Sequence, residues 1–106
     1  TPLLKNAIDW VSRVKEAGEK PLAAYRDRVF ALGSASPGGY GGMRSQMASR
    51  QVLELGCGAL VIPESCAVAA AHQAFDDDGR LRDERTRAML TACCASLIDK
   101  ARSFSR

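Results

Sequence analysis

Two short apolar segments, each placed between helical patterns, constrain the fold of this chain most strongly. They cover residues 29–32 and 59–62, and neither shows the apolar–polar alternation of a half-exposed strand. Both therefore predict strands buried on two faces, and strands joined through a helix should be parallel with a right-handed crossover. Two short strands make only a marginal sheet. We therefore expect this sheet to be completed by a missing N-terminal segment or by another chain.

Three helical patterns surround the two strands, and the order is helix, strand, helix, strand, helix. The predicted helices cover residues 2–16, 43–56 and 83–103. The first has an apolar face of roughly 160°, wide enough to contact both a sheet and a neighbouring helix or subunit. Trp10 lies on this face. Pro63 is expected to end the second strand, and a loop of about 20 residues should follow, which is long for a small domain.

Composition excludes several classes of protein. The chain has 106 residues, a formal net charge of +3, 46% hydrophobic and 25% charged residues, which is typical of one globular domain rather than of a disordered chain. Its apolar runs fall short of the roughly 18 residues that a membrane-spanning helix needs. Its cations are scattered, without the aromatic-lined basic stripe of a single-strand binding surface. We therefore expect no membrane or nucleic-acid partner. A cytoplasmic location is expected from the four cysteines, which we interpret as reduced thiols.

The four cysteines do not have the spacing of a metal or redox site. Their positions are Cys57, Cys66, Cys93 and Cys94, without a C-x-x-C pair, and His72 is the single histidine of the sequence. We interpret them as reduced and mostly buried thiols, with the adjacent pair in the apolar stripe of the last helix. The acidic run before Gly79 lacks the alternating spacing of a calcium loop and favours a solvated turn. We expect no metal site, and a surface role for His72.

A glycine-rich segment carries the clearest chemical signal. Four of its seven residues, 36–42, are glycines, and it connects the first strand to the second helix. Loops at the carboxyl ends of parallel strands form ligand crevices, and Arg44 adds a cation at the start of the helix. The Walker A and G-x-G-x-x-G patterns do not match. The segment predicts contact with a flat or anionic ligand, and the alternative is a tight structural connection.

Four motifs in order resemble those of the NADPH-dependent FMN reductases, a flavodoxin-like family that includes chromate/quinone reductases and flavin-binding azoreductases. The similar segments are residues 3–10, residues 36–46 with 50–53, the Pro63-Glu64 pair, and the acidic turn 75–80. The resemblance implies a flavodoxin-like three-layer parallel sandwich, of which residues 1–106 form the C-terminal part. The N-terminal strand, the phosphate loop and two βα units of the family have no counterpart here.

The resemblance also implies the activity and the site. It implies an NAD(P)H-dependent FMN/quinone-type reductase, in which hydride passes through FMN to a small-molecule electron acceptor, with NADPH as donor. The flavin carries this chemistry, so no catalytic side chain is expected. The implied FMN-binding residues are Ser36, Pro37, Gly38, Gly39, Tyr40, Gly41, Gly42 and Arg44. Arg44 and Glu64 would anchor the flavin region or an intersubunit polar network.

Assembly is the last expectation from the sequence. The resemblance implies a homodimer or tetramer packed through the helices predicted at 2–16 and 43–56. An alternative follows from the small number of strands. The chain would then be a non-catalytic half-domain, which acts as an assembly or interaction module through its sheet edge and helices.

Overall fold

The computed structural model describes residues 1–104, which form an α/β arrangement around two parallel strands. In chain order the elements are α1 (Pro2–Val11), α2 (Ala23–Arg26), β1 (Val29–Ala35), α3 (Met43–Gln51), β2 (Leu60–Val68) and α4 (Glu84–Phe104). A wider helical turn over Val52–Gly56 extends α3, and a 3₁₀ turn covers Ala71–Gln73. The predicted order of helices and strands and the parallel pairing are confirmed. The short α2 was not predicted.

The second strand is longer than the sequence predicted. Phe30 pairs with Val61 and Leu32 with Ser65, so a step of two residues on β1 corresponds to a step of four on β2. Pro63 lies in this bulge, where its missing N–H removes no regular ladder hydrogen bond. The expectation that Pro63 ends the strand is therefore wrong, and the loop that follows β2 is shorter than expected.

Helices cover both faces of the sheet. Cys66 is paired with Gly33, and the next residue of β1 is Ser34. Because successive residues of a strand point to opposite faces, the Ser34 and Cys66 side chains lie on opposite sides of the sheet. Gln46 of α3 donates to the Ser34 hydroxyl, whereas the Cys66 thiol contacts the carbonyl of Thr86 in α4. The predicted three-layer arrangement is therefore present, with α3 on one face and α4 on the other.

The main apolar cluster lies on the α3 face. Its buried members are Tyr25, Leu53, Cys57, Ala59 and Val61. The short α2 ties α1 to this cluster, because the Tyr25 hydroxyl donates to the carbonyl of Ile8 at 2.7 Å. The Tyr25 ring also stacks on Phe30, with centroids 6.0 Å apart. The position of α1 thus depends on a helix of four residues that periodicity could not reveal.

The first helix is shorter than predicted and mostly exposed. It ends at Val11 rather than at residue 16, because the Ser12 hydroxyl donates to the Asp9 carbonyl at 2.6 Å and the backbone then continues in tight turns. Trp10 is 72% exposed and Leu3 81% exposed. Among the described residues, no helix is long and apolar enough to cross a membrane.

The first strand is only half-buried, contrary to the expectation of burial on both faces. Gly33 and Ala35 are exposed, and Val29 to Leu32 are intermediate. A strand in a parallel sheet is buried when neighbouring strands and helices cover it. Here β1 pairs with β2 alone within the described residues. The exposure therefore follows from the small size of the sheet.

The cysteines are buried at three positions and exposed at one. Cys57, Cys66 and Cys93 are buried, and burial is the main cause that raises the pKa of each thiol. Cys94 is exposed. The expectation that both adjacent cysteines lie in the core is wrong for Cys94, because neighbouring residues of a helix point about 100° apart.

Thiol alkylation tests this distribution. We expect iodoacetamide to modify Cys94 under native conditions, while the three buried cysteines react only after unfolding, since a buried thiol with a raised pKa forms little thiolate. Mass spectrometry of tryptic peptides gives the labelled positions. In the control variant Cys94→Ser, native labelling should disappear and labelling in urea should persist. Native labelling of Cys57 at the rate of Cys94 would contradict the packing described here.

Candidate functional site

The glycine loop, Ser36–Gly42, lies at the carboxyl end of β1 and is bonded to the segment that follows β2. The Ser36 amide donates to the Val68 carbonyl at 3.0 Å, and the Ala70 amide donates to the Gly38 carbonyl at 3.1 Å. The ends of two parallel strands therefore meet at one edge of the sheet, which is where open α/β sheets bind ligands. The predicted residues from Ser36 to Gly42 are brought together at this edge.

Two of the loop glycines are required by the fold itself. Gly41 and Gly42 have φ values of +60° and +80°. A Cβ atom would lie 2.9 Å from the amide nitrogen of Ala69 at Gly41, and 2.9 Å from the Cβ atom of Ser34 at Gly42. Both positions combine a left-handed backbone with a close approach to the strand ends, so a side chain there would strain the loop.

The other two loop glycines are not explained by contacts within the chain. A Cβ atom at Gly39 would meet nothing within 4 Å, and one at Gly38 would meet only the Ser36 hydroxyl at 3.6 Å. Neither residue has a left-handed φ. Glycine at these positions leaves open space directly above the backbone. This space is compatible with the close approach of a flat ligand, and ligand contact at the loop stays a prediction.

Tyr40, the neighbour of Gly39 in sequence, is in contact with Arg44. Tyr40 is 73% exposed, and the guanidinium carbon of Arg44 lies 5.1 Å from the centre of its ring. This distance allows a cation–π interaction, which holds the charge and the flat ring next to each other. Arg44 also lies in the first turn of α3, whose dipole is positive at this end. The site thus combines an exposed apolar surface with positive charge.

A partly buried hydrogen-bond network that no sequence pattern predicted connects the loop to both strands. Gln46 donates from Nε2 to the Ser34 hydroxyl at 2.7 Å and to the Cys66 carbonyl at 2.8 Å. The Ser34 hydroxyl donates to the Gly41 carbonyl at 2.6 Å. The spacing of Gln46 seven residues before the buried Leu53 could have indicated an inward-facing position.

Glu64 is held by α4 rather than by the glycine loop. Its carboxylate accepts a hydrogen bond from the Ser96 hydroxyl at 2.9 Å, and its main-chain carbonyl accepts one from the Cys93 thiol at 3.5 Å. A hydrogen bond from its own backbone amide, followed by the one from Ser96, lowers the pKa of this carboxyl group. Its role in anchoring a ligand or a neighbouring subunit stays a prediction.

The remaining candidate residues lie near the loop but serve local structure. His72 is exposed in the 3₁₀ turn after β2, with its Nε2 atom 3.0 Å from the Gln73 amide nitrogen, which confirms its surface position. The Asp76 carboxylate accepts hydrogen bonds from the backbone amides of Asp78 and Arg80, both at 2.9 Å. The acidic run is therefore a closed turn, as the sequence predicted.

Substitution of single glycines tests whether the fold requires Gly41 but not Gly39. Gly41→Ala should reduce the free energy of unfolding by about 1–2 kcal/mol from the left-handed backbone alone, with the clash against Ala69 added. Gly39→Ala should change it by less than about 0.5 kcal/mol, as is usual for an open surface position. Urea unfolding followed by circular dichroism measures both. Equal destabilisation by the two substitutions would refute this difference between the two glycines.

The chain is similar to a known family and to named proteins. The family model for NADPH-dependent FMN reductase matches residues 1–73, which include the glycine loop. The chain is 37% identical to an NAD(P)H-dependent FMN reductase of Pseudomonas aeruginosa, over 83% of this chain and 44% of that protein. It is 40% identical to an NAD(P)H:quinone oxidoreductase of Solanum tuberosum, over 89% of this chain and 45% of that protein. The chain thus spans about half the length of the curated relatives it matches.

Proposed function

Because the chain belongs to the NADPH-dependent FMN reductase family, we propose that it forms the glycine-loop part of an NAD(P)H-dependent FMN/quinone-type reductase. In this proposal residues 1–106 are the C-terminal part of a flavodoxin-like domain, and segments without a counterpart here supply the phosphate loop. The observation that carries the proposal is that the open backbone of Gly38 and Gly39 stands at the carboxyl ends of the two parallel strands. The loop lies at the strand ends, inside the residues that the family model matches.

The residues of the loop suit a flat and partly anionic cofactor. Gly38 and Gly39 let a planar ring system approach the backbone, and Tyr40 offers an exposed aromatic surface. Arg44 would attract the negative charge of FMN, with support from the positive end of the α3 dipole. In the proposal, Ser36 to Gly42 and Arg44 hold the flavin region.

The chemistry proposed for the site needs no acid or base from this chain. When bound, FMN accepts hydride from NAD(P)H and passes reducing equivalents to a small-molecule acceptor. The part of this chain is to bind and orient the cofactor and to keep the loop in one conformation. We extend the proposal to a cytoplasmic location, which suits thiols such as Cys57 and Cys66 that are free in the structure.

Flavin binding tests the proposal directly. We expect the full-length protein to be yellow and to release FMN on heat denaturation. Gly39→Val should weaken FMN binding at least about tenfold, which corresponds to about 1.4 kcal/mol, because the side chain fills the space above the loop. Fluorescence titration with FMN gives the Kd, and urea unfolding should show an unchanged stability.

Gly56→Val is the matched control, since a Cβ atom at Gly56 also meets nothing within 4 Å and this residue lies outside the glycine loop. Its FMN affinity should equal that of the wild type. A colourless full-length protein that fails to take up added FMN would sink the proposal. Equal FMN affinity in Gly39→Val and wild type would remove the loop from the site.

We also propose that α1 and α3 form the contact between subunits of a homodimer or tetramer. These helices expose large apolar side chains: Leu3, Leu4, Trp10, Met43 and Met47. A groove of about 220 Å³ runs between them. Exposed apolar surface of this extent on adjacent elements is typical of interaction sites. Because α1 ends at Val11, residues 12–16 of the predicted contact helix would contribute as a turn followed by irregular backbone.

A charge on the exposed apolar surface tests this contact. We expect Trp10→Lys and Met47→Lys each to shift the full-length protein toward the monomer, because a lysine would have to be desolvated at the contact. Light scattering coupled to size-exclusion chromatography measures the mass. Ile98→Lys on α4 is the control and should leave the assembly unchanged. A wild-type protein that is monomeric at micromolar concentration would contradict the proposal.

The alternative function is a non-catalytic half-domain that assembles through its sheet edge and helices. The observations that favour it are the exposed residues of β1 and an apolar groove of about 380 Å³ between the sheet and α4. Phe75, Leu81 and Leu90 contribute to the lining of this groove. Such a module would assemble without carrying flavin, so the FMN titration separates the two functions.

A further inference from the structure

We propose that Gln46 is a positioning residue, which sets the conformation of the glycine loop through Ser34 and thereby determines how tightly the loop holds FMN. The inference rests on the proposed function, because it assumes that the loop contacts this cofactor. Gln46 itself lies below the loop, between α3 and the sheet, and is only 7% exposed. It would therefore act on the cofactor indirectly.

The direction of each hydrogen bond in the network is determined by the groups involved. The Cys66 carbonyl can only accept, so the Gln46 side chain must turn its amide nitrogen toward it. The second amide hydrogen points to the Ser34 oxygen. The single hydroxyl hydrogen of Ser34 is then left for the Gly41 carbonyl. One arrangement of donors and acceptors satisfies all three bonds, and no buried side-chain nitrogen or oxygen of the described residues lacks a partner.

The network holds the loop at its second end. The first end is held where the Ser36 amide donates to the Val68 carbonyl. The Ala70 amide holds the Gly38 carbonyl on the same side, and the Gly41 carbonyl, held by Ser34, fixes the other end of the loop. Gly39 and Tyr40 lie between the held carbonyls of Gly38 and Gly41, so the open backbone at Gly39 depends on both ends. A loop that is already ordered loses less conformational entropy when it binds a ligand. Release of the second end should therefore weaken binding.

The network also explains why a polar residue is buried at this position. An apolar side chain would leave the partly buried Ser34 hydroxyl and the Cys66 carbonyl without the donor that Gln46 provides, which is unfavourable for polar groups shielded from water. The carboxylate of Gln46→Glu has nearly the same shape as the amide but only accepts hydrogen bonds when ionised. It could not donate to the Cys66 carbonyl. The position thus requires a side chain that donates twice.

The test compares full-length variants in two measurements. In the flavin-free protein, hydrogen exchange followed by mass spectrometry should show faster exchange of the loop amides in Gln46→Leu and Ser34→Ala. In fluorescence titration with FMN, each variant should raise the Kd about tenfold. The double variant should raise it by about the same factor, because both substitutions break one chain of contacts. Gln51→Leu removes an exposed glutamine of the same helix and should leave both measurements unchanged.

The outcomes separate the inference from the proposed function. A wild-type protein that takes up no FMN overturns the proposed function, and with it the claim on FMN affinity. If wild type binds FMN, an unchanged Kd in Gln46→Leu overturns the inference, as do effects of Ser34→Ala and Gln46→Leu that multiply. If Gln46→Leu fails to fold, Ser34→Ala decides alone, because it leaves the bond from Gln46 to Cys66 intact. An unchanged Kd and unchanged loop exchange in Ser34→Ala overturn the inference.

Discussion

The parallel pairing of β1 with β2 is the constraint on which the rest of the structure depends. Because the strands are parallel, their carboxyl ends lie at the same edge, and the glycine loop and the segment after β2 bond to each other there. The connection between two parallel strands must return from the end of β1 to the start of β2, and α3 makes this return over one face of the sheet. The candidate site is thus a consequence of strand direction. The same pairing directs Ser34 and Cys66 to opposite faces, which gives α3 and α4 separate contacts.

The small size of the sheet accounts for the exposed apolar surface. A sheet of two strands is only marginally stable by itself, and here β1 is half-buried while α1 exposes Trp10. The chain spans about half the length of its curated relatives. In our proposal, α1 with α3 face another subunit, and the β1 edge and the groove beside α4 are the surfaces through which the alternative half-domain would assemble. Each exposed apolar surface is then a surface on which another part of the assembly packs.

The sequence predicted the elements better than their ends. Apolar runs located both strands, and periodicity located the three main helices, because burial of one face leaves a regular pattern. The ends depend on single hydrogen bonds that no pattern records. The Ser12 hydroxyl ends α1 early, and a bulge lets β2 continue past Pro63. Cys94 is exposed although it belongs to the apolar stripe of α4, because the pattern of apolar residues does not show how much of that stripe the sheet covers.

For the candidate site, the sequence alone determined which loop and which residue types to propose. Glycines after a predicted strand and before a helix are local features, and together with three other short motifs in the same order they sufficed to recognise the family. Only the tertiary structure separated the glycines that the backbone needs, Gly41 and Gly42, from those that leave open space. It alone identified Gln46, because the partners of this residue lie 12 and 20 positions away along the chain. Contacts at that separation exist only after the strands have paired, so residue order does not reveal them.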